Sequence, residues 1–185
     1  MTTTRFLKYP SLVNHYALGK SSRVVALYDT PWVETEKIHG ANASIVLDKD
    51  EYGHIYVATA KRSGFINMDD KQFTRFKTWV KDNYAIVEQG SKFLDWQDVT
   101  QVHIFGEYFG GNVQKMEYEL CKQGKIDFKV FNVILEYGDG AIHYVLDKDT
   151  VAKYLSSKYL ALVHRTLTNT TILRVYVRVP LYELS

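Results

Sequence analysis

Scarcity is the first thing to read in this chain of 185 residues. Cysteine occurs once, at Cys121, so no disulfide can close within the chain, and a reducing compartment is expected. Proline occurs three times, at Pro10, Pro31 and Pro180, which leaves no Pro-rich linker to mark a domain boundary. No apolar run approaches the ~20 residues a helix needs to cross a bilayer. The amino-terminal MTTTRFLKYPSL holds no apolar signal region, and cytoplasm is the expected location. The net charge of +2 is too small to announce nucleic-acid binding, although a local basic face is compatible with it. His15, His39, His54, His103, His143 and His164 are scattered, with no cysteine partner and no metal-ligand spacing. Neither a P-loop string nor GxGxxG occurs.

What is present is ordinary in bulk and specific in detail. With 46% hydrophobic and 24% charged residues, the chain reads as a soluble globular protein of one domain, or of one domain plus a fragment. Tyr, Val, Ile and Phe recur in short blocks, which favours strands. Strands are predicted at Trp32–Lys37, Ala43–Asp48, His54–Lys61, Val102–Phe109, Phe128–Leu135 and Ala141–Leu146, the first two joined by a turn at His39-Gly40-Ala41-Asn42. Phe73, Phe76, Trp79 and Val80, at three- and four-residue offsets, predict a helix over Asp70–Val87. Its basic residues could meet an RNA backbone or simply form a solvated face. A shorter helix is predicted over Asp149–Lys158, with Asp149 or Thr150 as N-cap. The sum is an antiparallel-sheet-rich α+β domain.

The run Glu34-Thr35-Glu36-Lys37-Ile38-His39-Gly40-Ala41-Asn42 carries the most information. Lys-x-x-Gly suits a covalent nucleotidyltransferase: the amine attacks an α-phosphate, and a glycine, lacking Cβ, permits a tight turn and close approach of a nucleotide. Three further segments follow in order: AKRSGFI with Arg62, IFGEYFGG with Glu107, and FKVFNVIL with Phe128 and Phe131. Together with the early FLKYPSLVNHY, this set resembles the successive motifs of the ATP-dependent RNA ligase 2 family, the phage and trypanosome-editing type. The resemblance covers most of residues 5–137.

That resemblance implies a nucleotidyltransferase (adenylyltransferase, ATP-grasp-like ligase) domain, with Lys37 and His39 catalytic. Glu36, Lys37, Ile38, Gly40, Asn42, Arg62, Glu107 and Phe131 would hold the nucleotide. Lys37 would expel pyrophosphate from ATP to give lysyl-AMP, and neighbouring cations, a divalent metal and desolvation would favour its neutral form. Glu36 would read the adenine edge, and His39 would serve the later transfer of AMP to RNA. Asn42 would orient the sugar-phosphate, Arg62 would meet ribose or an RNA 5′-phosphate, Glu107 would accept ribose hydroxyls, and Phe131 would stack on adenine. Each has a plainer alternative: a surface carboxylate at Glu36, a turn histidine at His39, a turn former at Asn42, a solvated basic turn at Arg62. Gly106 and Gly110 could equally mark only a bulge or turn. ATP and Mg²⁺ are the implied cofactors, with metal ligands unknown. The implied partner is RNA with 5′-phosphate and 3′-hydroxyl ends, as in a nicked duplex. No membrane partner is implied.

The resemblance also has departures. Asn132 stands where the family often has Asp. The family's later Glu-Gly and Lys-x-Lys motifs do not follow Phe131; Glu136 precedes Tyr137 instead. His164-Arg165-Thr166-Leu167 echoes the family, but TNTTILRVYVRVPLYELS does not continue it. The expectation is therefore an incomplete adenylyltransferase domain over residues 1–160 and a divergent tail over 161–185, from truncation or a frame change. The alternative function is a catalytically impaired nucleotide- or RNA-binding remnant. Thr171–Val179 could instead be a genuine edge strand.

Overall fold

In the computed structural model, the structure describes residues 4–10, 32–35, 38–111, 113, 122–145, 147–160 and 163–167. Two compact units divide the chain, one of residues 1–8 and 38–160, the other of residues 9–37 and 161–185.

In the smaller unit, β1 (Trp32–Thr35) pairs antiparallel with a strand at Val163–Leu167. The predicted strand Trp32–Lys37 is thus described as strand over Trp32–Thr35, and its pairing with Val163–Leu167 goes beyond what the sequence predicts. Glu36, Lys37 and the alternative strand at Thr171–Val179 lie outside the described residues.

The larger unit is built on an antiparallel sheet. Its strands are β2 (Ala41–Lys49), β3 (Ile55–Lys61), β4 (Gly64–Phe65), β5 (Val99–Gly110), β6 (Ile126–Tyr137) and β7 (Ile142–Val145), in the order β4-β3-β2-β5-β6-β7. Ala41 and Asn42 belong to β2, where they pair with Tyr108 and Glu107, and not to the expected turn. The strand at Val163–Leu167 is β8.

Helices cover one face of this sheet. α1 (Thr74–Asp82) and α2 (Ala85–Ser91) replace the single helix expected over Asp70–Val87. The break comes at Asn83, whose backbone N–H and side-chain Nδ2 both donate to the Trp79 carbonyl at 2.9 Å. That carbonyl is capped locally, and the chain turns instead of continuing. Phe76 and Trp79 drop onto the sheet, with the Phe76 ring centroid 5.0 Å from Phe128 and 5.2 Å from Tyr108. These rings, with Ile45, Leu47, Ile104, Val133 and Leu135, form the core. α3 (Lys148–Tyr154) starts one residue earlier than predicted, because Asp147 is the N-cap and accepts from the N–H groups of Asp149 and Thr150. It ends before Lys158, which lies in a short 3-10 turn, Ser157–Tyr159. Among the described residues, no helix is long and apolar enough to cross a membrane.

Side chains alternate across the sheet, so the residues between the core positions face the other way. At one end of that second face, Thr4 and Arg5 strap the strands together. Thr4 Oγ1 donates to Asp48 Oδ2 (3.1 Å), the Arg5 N–H to Gln101 Oε1 (3.2 Å), and Arg5 Nη1 to Glu136 Oε1 (3.0 Å). Gln101 Nε2 closes the set on Asp48 (3.3 Å). Below the strap His103 is fully buried, its Nε2 3.7 Å from Glu136 Oε2. Burial holds this imidazole down to about 4, against the pull of the Glu136 carboxylate.

Candidate functional site

The other end of the sheet gathers the residues that the sequence singles out. Gly40 sits just before β2, and its N–H donates to Glu107 Oε1 at 3.0 Å, so the lysine motif and the Phe-Gly-Glu motif are joined directly. Gly40 does not have the left-handed backbone that a tight turn would demand. Its need for glycine is packing: a Cβ there would stand 2.2 Å from the Tyr108 carbonyl oxygen and 2.8 Å from the Phe109 Cβ. The expectation of a turn glycine is corrected to one of close backbone contact with β5. His39, immediately before it, is exposed, and Ile38 is half-buried.

Strand register lines up the next residues. Asn42 on β2 lies opposite Glu107 on β5, and Glu107 opposite Lys129 on β6. Glu107 lies between Gly106 and Tyr108, of which Tyr108 faces the helices, so its carboxylate projects from the second face. The plain reading of Asn42 as a turn former is overturned, because it stands inside a paired strand. Arg62 is exposed in the turn joining β3 to β4, one residue past Lys61, which pairs with Ala43. Lys61 itself is bound to the Asp70 carboxylate, which this contact holds below its usual range.

Phe131 is placed by an irregularity. Phe105 pairs with Asn132, but the next residue, Gly106, pairs with Val130. Phe131 is thus the extra residue of a β-bulge. Val130 and Val133 both reach the helix-packed core, so Phe131 and Asn132 together lie off that face. Phe128 does the opposite: it is fully buried among Phe76, Trp79 and Tyr108, and is core. Gly106 flanks the bulge and Gly110 ends β5 with φ +93°, so both glycines do mark backbone irregularities.

Lys129 is the residue that sequence reading passed over. Opposite Glu107 in the register, its ammonium bonds Asp127 Oδ2 (3.1 Å) and the Lys158 carbonyl, so a cation is held in the row of Asn42 and Glu107. The only signal for it was its place two residues before Phe131.

Among the described residues, no group of three or more His, Cys, Asp or Glu could hold a metal ion. The carboxylate in the row, Glu107, accepts from Gly40. A concavity of about 200 Å³ does exist, but at the strapped end, lined by Arg5, Asp48, Gln101 and Glu136. It is remote from the Gly40–Glu107 end and carries no weight for the site.

Comparison with known proteins fits this geometry. The RNA ligase family model, described as "RNA ligase", matches residues 30–178. A solved structure of a mutant RNA ligase from Naegleria gruberi with ATP and Mn has a similar fold, with a TM-score of 0.50 and 14% sequence identity. The match covers 92% of this chain and 49% of that one, so the chain spans about half the length of its structural neighbour.

Proposed function

Because the chain belongs to the RNA ligase family, we propose that it carries the nucleotidyl-transfer site of an ATP-dependent RNA ligase that seals nicked RNA duplexes. The observation that supports this most is the Gly40–Glu107 hydrogen bond, with Asn42 opposite Glu107 and Phe131 raised on a bulge of the next strand. Three separate motif segments thereby converge on one end of one sheet.

In this reading the Lys37 amine attacks the α-phosphorus of ATP. An N–P bond forms, the bond to pyrophosphate breaks, and the amine proton leaves to solvent or phosphate. The AMP then moves to an RNA 5′-phosphate, and a 3′-hydroxyl displaces it to close the phosphodiester. Mg²⁺ bound with ATP would neutralise phosphate charge; the chain's own contribution is to hold and orient. Glu107 fixes the backbone of the lysine motif through Gly40, Asn42 and Arg62 meet sugar and phosphate, and Phe131 offers its ring to adenine. Glu36 and Ile38 line the nucleotide, and His39 serves the transfer to RNA. Residues 1–160 make up the adenylyltransferase part and residues 161–185 the tail.

The test is direct. The chain is incubated with α-labelled ATP and Mg²⁺, then denatured. Label that survives denaturation and vanishes in Lys37→Ala is the expected result. ATP binding without any adduct would overturn the enzymatic reading and leave a nucleotide-binding remnant.

A further inference from the structure

The second face explains the nucleotide, but another feature at the same end of the sheet is left without a role. α1 lies with its first turn against the tip where β5 ends and β6 begins. Arg75 is exposed, yet its Nη2 donates to the Gly124 carbonyl at 2.6 Å. Its Nη1 lies so close to Gly111 that a Cβ there would stand 2.7 Å away, and Gly111 has φ +51°. A planar cation is thus fixed at the surface by a backbone hydrogen bond to Gly124 and packed beside Gly111. Gly124 lies near Lys122 and beside Lys125, both exposed, and Lys71 is exposed in the turn just before α1, four residues ahead of Arg75. Among the described residues across 69–75 and 122–125, Asp69 is the only exposed carboxylate against Lys71, Arg75 and Lys125; Asp70 is engaged by Lys61.

From this we infer a backbone seat for RNA, formed by Lys71, Arg75 and Lys125 and separate from the nucleotide site. The inference rests on the ligase reading for its choice of RNA. Charge complementarity supplies the attraction, because phosphate contacts carry most of the affinity for a nucleic acid and no sequence preference. Position supplies the relevance. Gly110 is three residues beyond Glu107 on β5, ~10 Å at strand spacing, so a strand leaving the site meets this tip within a few nucleotides.

The experiment measures binding of the chain to a nicked RNA duplex with a 5′-phosphate, by fluorescence anisotropy across a salt series. Two double variants are compared with wild type: Arg75→Gln with Lys125→Gln, and Lys71→Gln with Lys125→Gln. The second leaves the Arg75–Gly124 contact in place. Each is expected to weaken binding about tenfold at low salt and to flatten the log–log salt slope by about two, one unit per lost phosphate contact. The Lys37 adduct formed from ATP alone should be unchanged. Lys49→Gln, at the opposite end, should leave both readouts at wild-type values. Wild-type affinity and slope in both double variants would overturn the seat. So would a wild-type chain that binds anionic vesicles but no RNA. A chain with no adduct whose RNA binding still falls in the double variants would overturn the ligase reading and sustain the seat.

Discussion

The two ends of the central sheet are made from the same four strands, yet they hold charge in opposite ways. At the Gly40 end, Lys61 and Lys129 are each matched to an aspartate, while Arg62, Lys71, Arg75 and Lys125 stand exposed. At the far end, Asp48, Asp50, Glu51, Asp95, Asp98, Glu136 and Asp139 outnumber Arg5 and Lys49. The near end uses its carboxylate, Glu107, to position backbone. The far end uses its carboxylates to tie down Thr4 and Arg5 and buries a neutral histidine beneath them. A net charge of +2 does not report this polarity, because it sums over the whole chain. A chain can thus be almost neutral overall and still present a cationic end.

The comparison can be broken at several points. Gly40→Ala should have the largest effect, about 3 kcal/mol, since its Cβ would fall on the Tyr108 carbonyl, in backbone that cannot step aside. Urea unfolding measures it, and an unchanged midpoint would refute the packing account. His103 should give the far end an acid weakness. The unfolded imidazole takes a proton near 6.5 and the folded one only at about 4. Between those values the unfolded state holds more protons, so stability is complete above pH 6.5 and falls as pH drops toward 4, by on the order of 3 kcal/mol. His103→Phe should remove this slope; a wild-type melting temperature as flat as the variant's across that window would contradict it.

Glu107→Ala should cost about 2 kcal/mol, because the part-buried Gly40 N–H loses its acceptor, while Glu107→Gln keeps an oxygen there and should cost less. If the two variants melt together, the hydrogen bond is not what joins the motifs. Glu136→Gln should be the mildest, below about 1 kcal/mol, since its partner Arg5 is 56% exposed and an amide can still accept. It should leave the Lys37 adduct untouched, which an adduct assay checks.

Much of this was legible in the sequence, and the failures have identifiable causes. The strands from Ala41 to Tyr137 could be read because β-branched and aromatic residues cluster there, and the assignment of Phe76 and Trp79 to a core face followed from their spacing. The helix break at Asn83 was missed because apolar periodicity resumes at Ile86 and Val87, hiding a cap inside an unbroken pattern. Pairing of β1 with Val163–Leu167 joins segments about 130 residues apart, which no local pattern reveals. The role of Gly40 was misjudged because a glycine forced by a neighbouring carbonyl and one forced by its own φ are the same letter. Phe128 and Phe131 look alike in FKVFNVIL, and only the bulge tells the core ring from the one off the core.

That bulge also makes β6 a strand with two phases. Before it, Phe128 and Val130 point to the helices; after it, Val133 and Leu135 do. Without the extra residue, one half would have to present Ile134 and Glu136 to the oily side. The insertion therefore works as a clutch between the two ends of the molecule. Residues before it can be retuned for a ligand while those after it keep their engagement with the core and with β7. Loss of a single codon there would disengage both at once.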